Sequence, residues 1–211
     1  MSHDTWIHRC VRLGVRPLTA TPVAPNHLTT LRLLTGLGAS LLLAVGGAAA
    51  LGWAAGLFLL SLLLDRADGE LARLSGKQSP FGHRYDLVAD GVCNSLAFVG
   101  LGFGLRTGAL GPWAVFMGML AGLAIAAMFH LLWRLERVAA NAPSLGSVAG
   151  FDPDDALLLV PVLLWLGLAE YLLVAAAAAA PACAVILYRT LPRHRPAGRG
   201  GHPRGDSVQG P

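Results

Sequence analysis

A chain of 211 residues with 55% hydrophobic and only 13% charged residues carries about half the charge of an ordinary soluble domain, for which roughly 25% is usual. With a formal net charge of only +4 and apolar blocks interrupted by little except glycine, a soluble α/β enzyme and a disordered chain are both excluded. What remains is an all-α, polytopic membrane protein, short enough to be one compact bundle.

The N-terminal stretch, residues 1–25, holds Arg9, Arg12 and Arg16 but no apolar core of a cleavable signal. Trp6, Ile7, Val11, Leu13 and Val15 alternate with these arginines, which predicts an amphipathic interfacial arm lying on the membrane surface. Six hydrophobic helices follow, near residues 28–47, 48–64, 86–105, 112–133, 154–168 and 172–188. A bilayer core asks for about 20 residues per helix, so the fifth is the shortest fit. Gly46-Gly47 and residues 108–112 mark turns. The transmembrane domain therefore covers residues 26–190. Residues 191–211, rich in Pro, Gly and Arg without periodicity, read as a disordered basic tail drawn to anionic headgroups.

Of the sixteen basic residues, all but Arg106 fall in the N-terminal region, between spans two and three, after span four, or at and beyond Arg189. By the positive-inside rule both termini and those loops are cytoplasmic, in a cell (inner) membrane. The three cysteines, Cys10, Cys93 and Cys183, are scattered and never in CxxC spacing, which excludes a disulfide scaffold and a thiolate zinc site.

Asp65 ends the second apolar block, and Asp68, Asp86 and Asp90 follow within 26 residues. A carboxylate near the bilayer is costly, so four of them call for compensation. Asp65, Asp68 and Ala72 are spaced i, i+3, i+7 on one helical face, and Asp86 and Asp90 i, i+4 on another. Packed as antiparallel neighbours, the two helices would converge all four carboxylates. Interfacial pairing with Arg66, Arg73 and Arg84 would account for one such aspartate; four on two faces point to cations. Two divalent ions cancel the four charges, and oxygen-only ligands favour Mg²⁺ or Mn²⁺ over zinc. Gly69, Ala72 and Gly82 leave room for a ligand, and Arg73 can fork onto a phosphate. Two metals and an arginine beside a small-residue cleft suit a diphosphate.

The segment from Asp65 to Asp90 reads D-x2-D-G-x2-A-R-x8-G-x3-D-x3-D, with Gly69, Ala72, Arg73 and Gly82 at its fixed positions. It resembles the motif of the CDP-alcohol phosphotransferases. Pro25-Asn26-His27-Leu28-Thr29 through Arg32 resembles the stretch that opens the first transmembrane helix in that family, and the similarity covers residues 22–105. The resemblance implies that Asp65, Asp68, Asp86 and Asp90 hold two divalent cations, Mg²⁺ or Mn²⁺, with Asp90 also the general base. Asn26, Thr29, Gly69, Ala72, Arg73, Ser79 and Gly82 would contact the CDP moiety. An acceptor hydroxyl would attack the phosphorus bearing the CDP-linked alcohol, CMP would leave and a phosphodiester would form. The implied partners are the lipid bilayer, the CDP-alcohol donor and the hydroxyl acceptor, with no nucleic acid and with a second copy in a homodimer.

The acceptor site is the open part of this reading. His130 and Arg134 are spaced i, i+4 at the end of span four, with Arg137 one turn on; these and Arg32 are candidates for an acceptor phosphate, or simply interfacial residues. Asp152-Pro153-Asp154-Asp155 reads as a helix start, with Asp152 as N-cap, and Glu170 as a solvated turn residue. Asp68 through Leu74 resembles family members that use soluble inositol-type substrates as well as lipids. Prenyl-diphosphate chemistry would explain neither Arg73 nor the stretch from Gly82 to Asp90. A divalent-cation transporter would place its acids near the bilayer midplane rather than at one membrane face.

Overall fold

A computed structural model describes residues 14–139 and 157–190. A short 3-10 helix, Arg16–Ala20, precedes α1 (Pro25–Val45), α2 (Ala48–Ser75), α3 (Pro80–Gly104), α4 (Trp113–Ala139), α5 (Leu159–Trp165) and α6 (Ala169–Thr190). No strand occurs among the described residues. All of these α-helices except α5 are long and apolar enough to cross a membrane. Large side chains such as Leu41, Trp53, Phe116 and Leu123 are exposed on the outer faces, far more apolar surface than a soluble monomer tolerates. The protein is an all-α, multi-pass membrane protein.

Five of the expected spans are therefore helices of that kind. The expected fifth, 154–168, is described only from residue 157, where α5 has seven residues. The interfacial arm up to residue 13, the helix start at Asp152 and the tail 191–211 lie outside the described residues.

Two helix boundaries differ from the hydropathy reading, and the difference matters. α2 does not stop near residue 64 but runs on to Ser75, ending at Gly76 in the left-handed conformation (φ 65°). Residues 65–75 are mostly strong helix formers, so the helix continues past its apolar stretch. α3 likewise starts at Pro80, six residues before Asp86, because Ser79 caps it: the Ser79 hydroxyl accepts from the Gly82 N–H at 2.9 Å. The acids thus sit within continuous helices rather than at their ends. The turn at Gly46-Gly47 occurs as expected, with φ of 75° and 81°.

Packing departs from expectation too. α1 packs along both α2 and α3, whereas α2 and α3 share no comparable seam among the described residues. The four carboxylates converge across α1, not by direct packing of α2 on α3. α4 packs on α3 and α6, and α5 on α2. The core is built mainly from alanine and leucine, among them Ala39, Leu43, Ala54, Ala55, Ala97 and Leu101, with Phe58 and Phe98 as its large members. At the far end of α3 the contacts are backbone to backbone. A Cβ on Gly102 would lie 2.6 Å from the Ala114 carbonyl oxygen and 2.9 Å from the Gly118 Cα, and one on Gly104 would strike the Leu43 carbonyl of α1. Glu170 is not a solvated turn residue. It lies in the first turn of α6 and accepts from the Ala109 N–H at 3.0 Å, tying α6 to the α3–α4 connection.

Candidate active site

The polar thirds of α1, α2 and α3 meet around an acidic cluster. Asp65, Asp68 and Asp86 each present one carboxylate oxygen within 4.8 Å of the others. Thr29, one turn into α1, donates its hydroxyl to Asp68 Oδ2 at 2.7 Å, and both residues are buried. Arg32, one turn further on the same face, is only 2% exposed. Its Nη1 donates to Asp86 Oδ1 at 2.6 Å and forms an ion pair with Asp65 Oδ1 at 2.8 Å, and its Nη2 donates to Asp90. Arg32, grouped in the sequence with His130 and Arg134, is instead buried among the carboxylates.

In front of the cluster lies a cavity of about 380 Å³. Asp68 and Asp86 line it, and so do Asn26, Thr29, Gly69, Ala72, Arg73, Ser79 and Gly82, every residue expected to contact a CDP moiety. Asp65 and Asp90, both half-buried, do not line it and are paired with the buried Arg32. Sequence reasoning missed Lys77, Gln78 and His83, which also line the cavity. Lys77 and Gln78 belong to the connection after α2, whose direction no periodicity fixes, and His83 occupies a free position of the motif.

The small residues have distinct reasons. A Cβ on Gly82 would lie 3.1 Å from both Asn26 Oδ1 and Ser79 Oγ, so this glycine lets α1 and the α3 cap approach. A Cβ on Gly69 would meet nothing nearer than Arg73 Nη2 at 3.9 Å. No neighbour demands a glycine there; the space it leaves opens to the cavity. Replacing a mid-helix glycine by alanine stabilises by roughly 0.5–1 kcal/mol. Gly69→Ala is therefore expected to hold or raise the melting temperature while weakening binding of a nucleotide substrate, as read by thermal unfolding and isothermal titration. A fall in both would make Gly69 a packing residue.

Arg73 is half-exposed, with Nη2 3.4 Å from Glu70 Oε2, so its guanidinium sits at the cavity rim on a buried carboxylate. His130 and Arg134 are exposed on α4. His130 lines a separate apolar groove of about 610 Å³ between α3 and α4, together with Arg84 and Trp133. The side chain of Arg137 lies outside the described residues.

The donor set suits hard divalent cations: carboxylate oxygens only, gathered closely, with Arg32 paired to three of the four acids. Asp65, Asp68 and Asp86 are the residues that could hold such an ion, with Asp90 adjoining. A search of curated proteins gives no match to the chain. A family model does match, over residues 22–188, the whole bundle from the entry of α1 almost to the end of α6. With the acids, the cavity and the helices that carry them all inside that match, the chain belongs to the CDP-alcohol phosphatidyltransferase family.

Proposed function

We propose that this protein transfers a phosphatidyl-type group from a lipid CDP-alcohol, such as CDP-diacylglycerol, to an acceptor hydroxyl, releasing CMP in phospholipid biosynthesis. Transfer of a phosphate group from a CDP-alcohol to an acceptor follows from the family. The observation that carries the finer reading is the cavity itself. It lies at the polar end of helices whose other turns expose apolar side chains, so a nucleotide seated there leaves its alcohol at headgroup level. By the charge distribution along the chain, that end faces the cytoplasm. The family resemblance extends the reading to a homodimer.

Two Mg²⁺ or Mn²⁺ ions on Asp65, Asp68, Asp86 and Asp90 would supply charge neutralisation of the diphosphate and stabilise the leaving phosphate. Asn26, Lys77, Gln78, Ser79 and His83 border the space for the nucleotide, and Arg73 is placed to fork onto a phosphate. Asp90 takes the acceptor hydroxyl proton as the new ester bond forms and the bond to CMP breaks. The test is incubation of purified protein with CDP-diacylglycerol and a panel of acceptors: glycerol 3-phosphate, inositol, inositol phosphate and serine. Mass spectrometry should find CMP and one new phosphodiester. Turnover of only a soluble CDP-alcohol would move the activity to the soluble-substrate branch.

Arg73→Lys keeps the charge and loses the fork. It is expected to weaken CDP-alcohol binding several-fold with little change in thermal stability. Normal binding by this variant would reduce Arg73 to an interfacial partner of Glu70.

A further inference from the structure

We propose that Arg32 is the resident counter-ion of the acidic cluster, holding Asp65, Asp86 and Asp90 together before divalent cations load and yielding Asp65 and Asp86 when they do. The inference rests on the two-metal reading of that cluster and deepens it. Arg32 stands on α1, the helix lying between α2 and α3, and its side chain joins acids from both. Without a cation there, carboxylates brought this close repel, and among the described residues α2 and α3 are joined through α1 rather than by a seam of their own.

The competition is geometric. Nη1 lies 2.8 Å from Asp65 Oδ1 and 2.6 Å from Asp86 Oδ1 and so fills the space between two of the acids that could hold an ion. A Mg²⁺ ion takes its oxygens at about 2.0–2.1 Å, so nitrogen and ion cannot share the space. Two divalent ions bring more positive charge to the acids than one guanidinium, which favours the exchange. The helix itself stays put. Ser61 on α2 donates its hydroxyl to the Arg32 carbonyl at 3.1 Å, and Thr29 holds Asp68. What moves is the long arginine side chain.

Metal loading in the wild type therefore includes the cost of breaking charge-assisted hydrogen bonds. Arg32→Gln removes that cost and leaves the acids short of a cation. The experiment measures Mn²⁺ affinity, from the free-ion EPR signal, and thermal unfolding with Mn²⁺ or EDTA, on full-length protein in detergent. Arg32→Gln should bind Mn²⁺ about tenfold more tightly, the scale of one such bond. It should melt lower than wild type in EDTA and gain more from Mn²⁺. Arg32→Lys, with charge but no fork, should fall between the two; it carries the comparison if Arg32→Gln is not recovered in EDTA. Unchanged or weaker Mn²⁺ binding in these variants, with normal binding by wild type, overturns the proposal. In that case a raised KM for the acceptor would return Arg32 to acceptor binding. Wild-type protein that binds no Mn²⁺ would instead sink the two-metal reading beneath it.

Discussion

Asp90→Asn is expected to lower turnover by about 10²–10⁴-fold, the usual contribution of a positioned general base, while CDP-alcohol binding with Mg²⁺ present changes much less. Asparagine keeps the shape and one carbonyl oxygen but takes no proton at neutral pH. Asp90 stands one helical turn beyond Asp86, is half-buried, and does not line the nucleotide cavity; its carboxylate is held by Arg32. A substitution there should spare the nucleotide, because the groups around the nucleotide are others. Asp65→Asn should behave differently. Asp65 is one of the three acids gathered within reach of a single ion, so losing its charge should damage metal binding, substrate binding and turnover together. Equal loss of binding in both variants would leave Asp90 a ligand alone, and the base would have to be sought elsewhere.

Removing divalent cations should abolish the reaction. In EDTA, CMP release is expected to fall to background, and added Mg²⁺ or Mn²⁺ should restore it. The reason is electrostatic. Asp68 and Asp86 line the space where a diphosphate would sit, beside Arg73 and Lys77, while Arg32 is taken up by Asp65, Asp86 and Asp90. The carboxylates repel the phosphate oxygens they face unless divalent charge stands between them. Full CMP release in chelator would contradict the metal reading. Mn²⁺ flux into proteoliposomes without any nucleotide would favour a transporter instead.

Much of the site could be read from residue spacing alone. The i, i+3 and i, i+4 separations of the aspartates set them on single helix faces, and helices of any length preserve that relation. The convergence of Asn26 and Thr29 with Gly69, Arg73 and Gly82 came from resemblance, and all of them line one cavity. Hydropathy did worse at helix ends, since it measures where a helix meets lipid and not where it stops. That is why the apolar span closes eleven residues before Ser75, although the i, i+3, i+7 spacing of Asp65, Asp68 and Ala72 already asks for helix beyond it. Spacing along the chain also cannot say which helix lies between two others, so the place of α1, and with it the role of Arg32, was hidden. A signal was nevertheless present: an arginine one turn beyond Thr29, inside an apolar block, is costly unless an acid meets it. The four aspartates of the motif, at the same end of the neighbouring spans, are the candidates.

The glycine contacts at the far end of α3 make that helix a fixed frame. Gly102 rests on the α4 backbone and Gly104 on α1, with no side chains between them to slide or repack. Asp86 and Asp90 lie in the other half of the helix, roughly 20 Å away at the helical rise per residue. There too the seat is close: a Cβ on Gly91 would meet Phe129 at 3.3 Å, and Cys93 fills the space that Gly36 leaves on α1. Half of the acids thus stand on a helix seated on its neighbours along its length, so adjustment at the cluster falls to side chains while the frame, and the lipid around it, stays still.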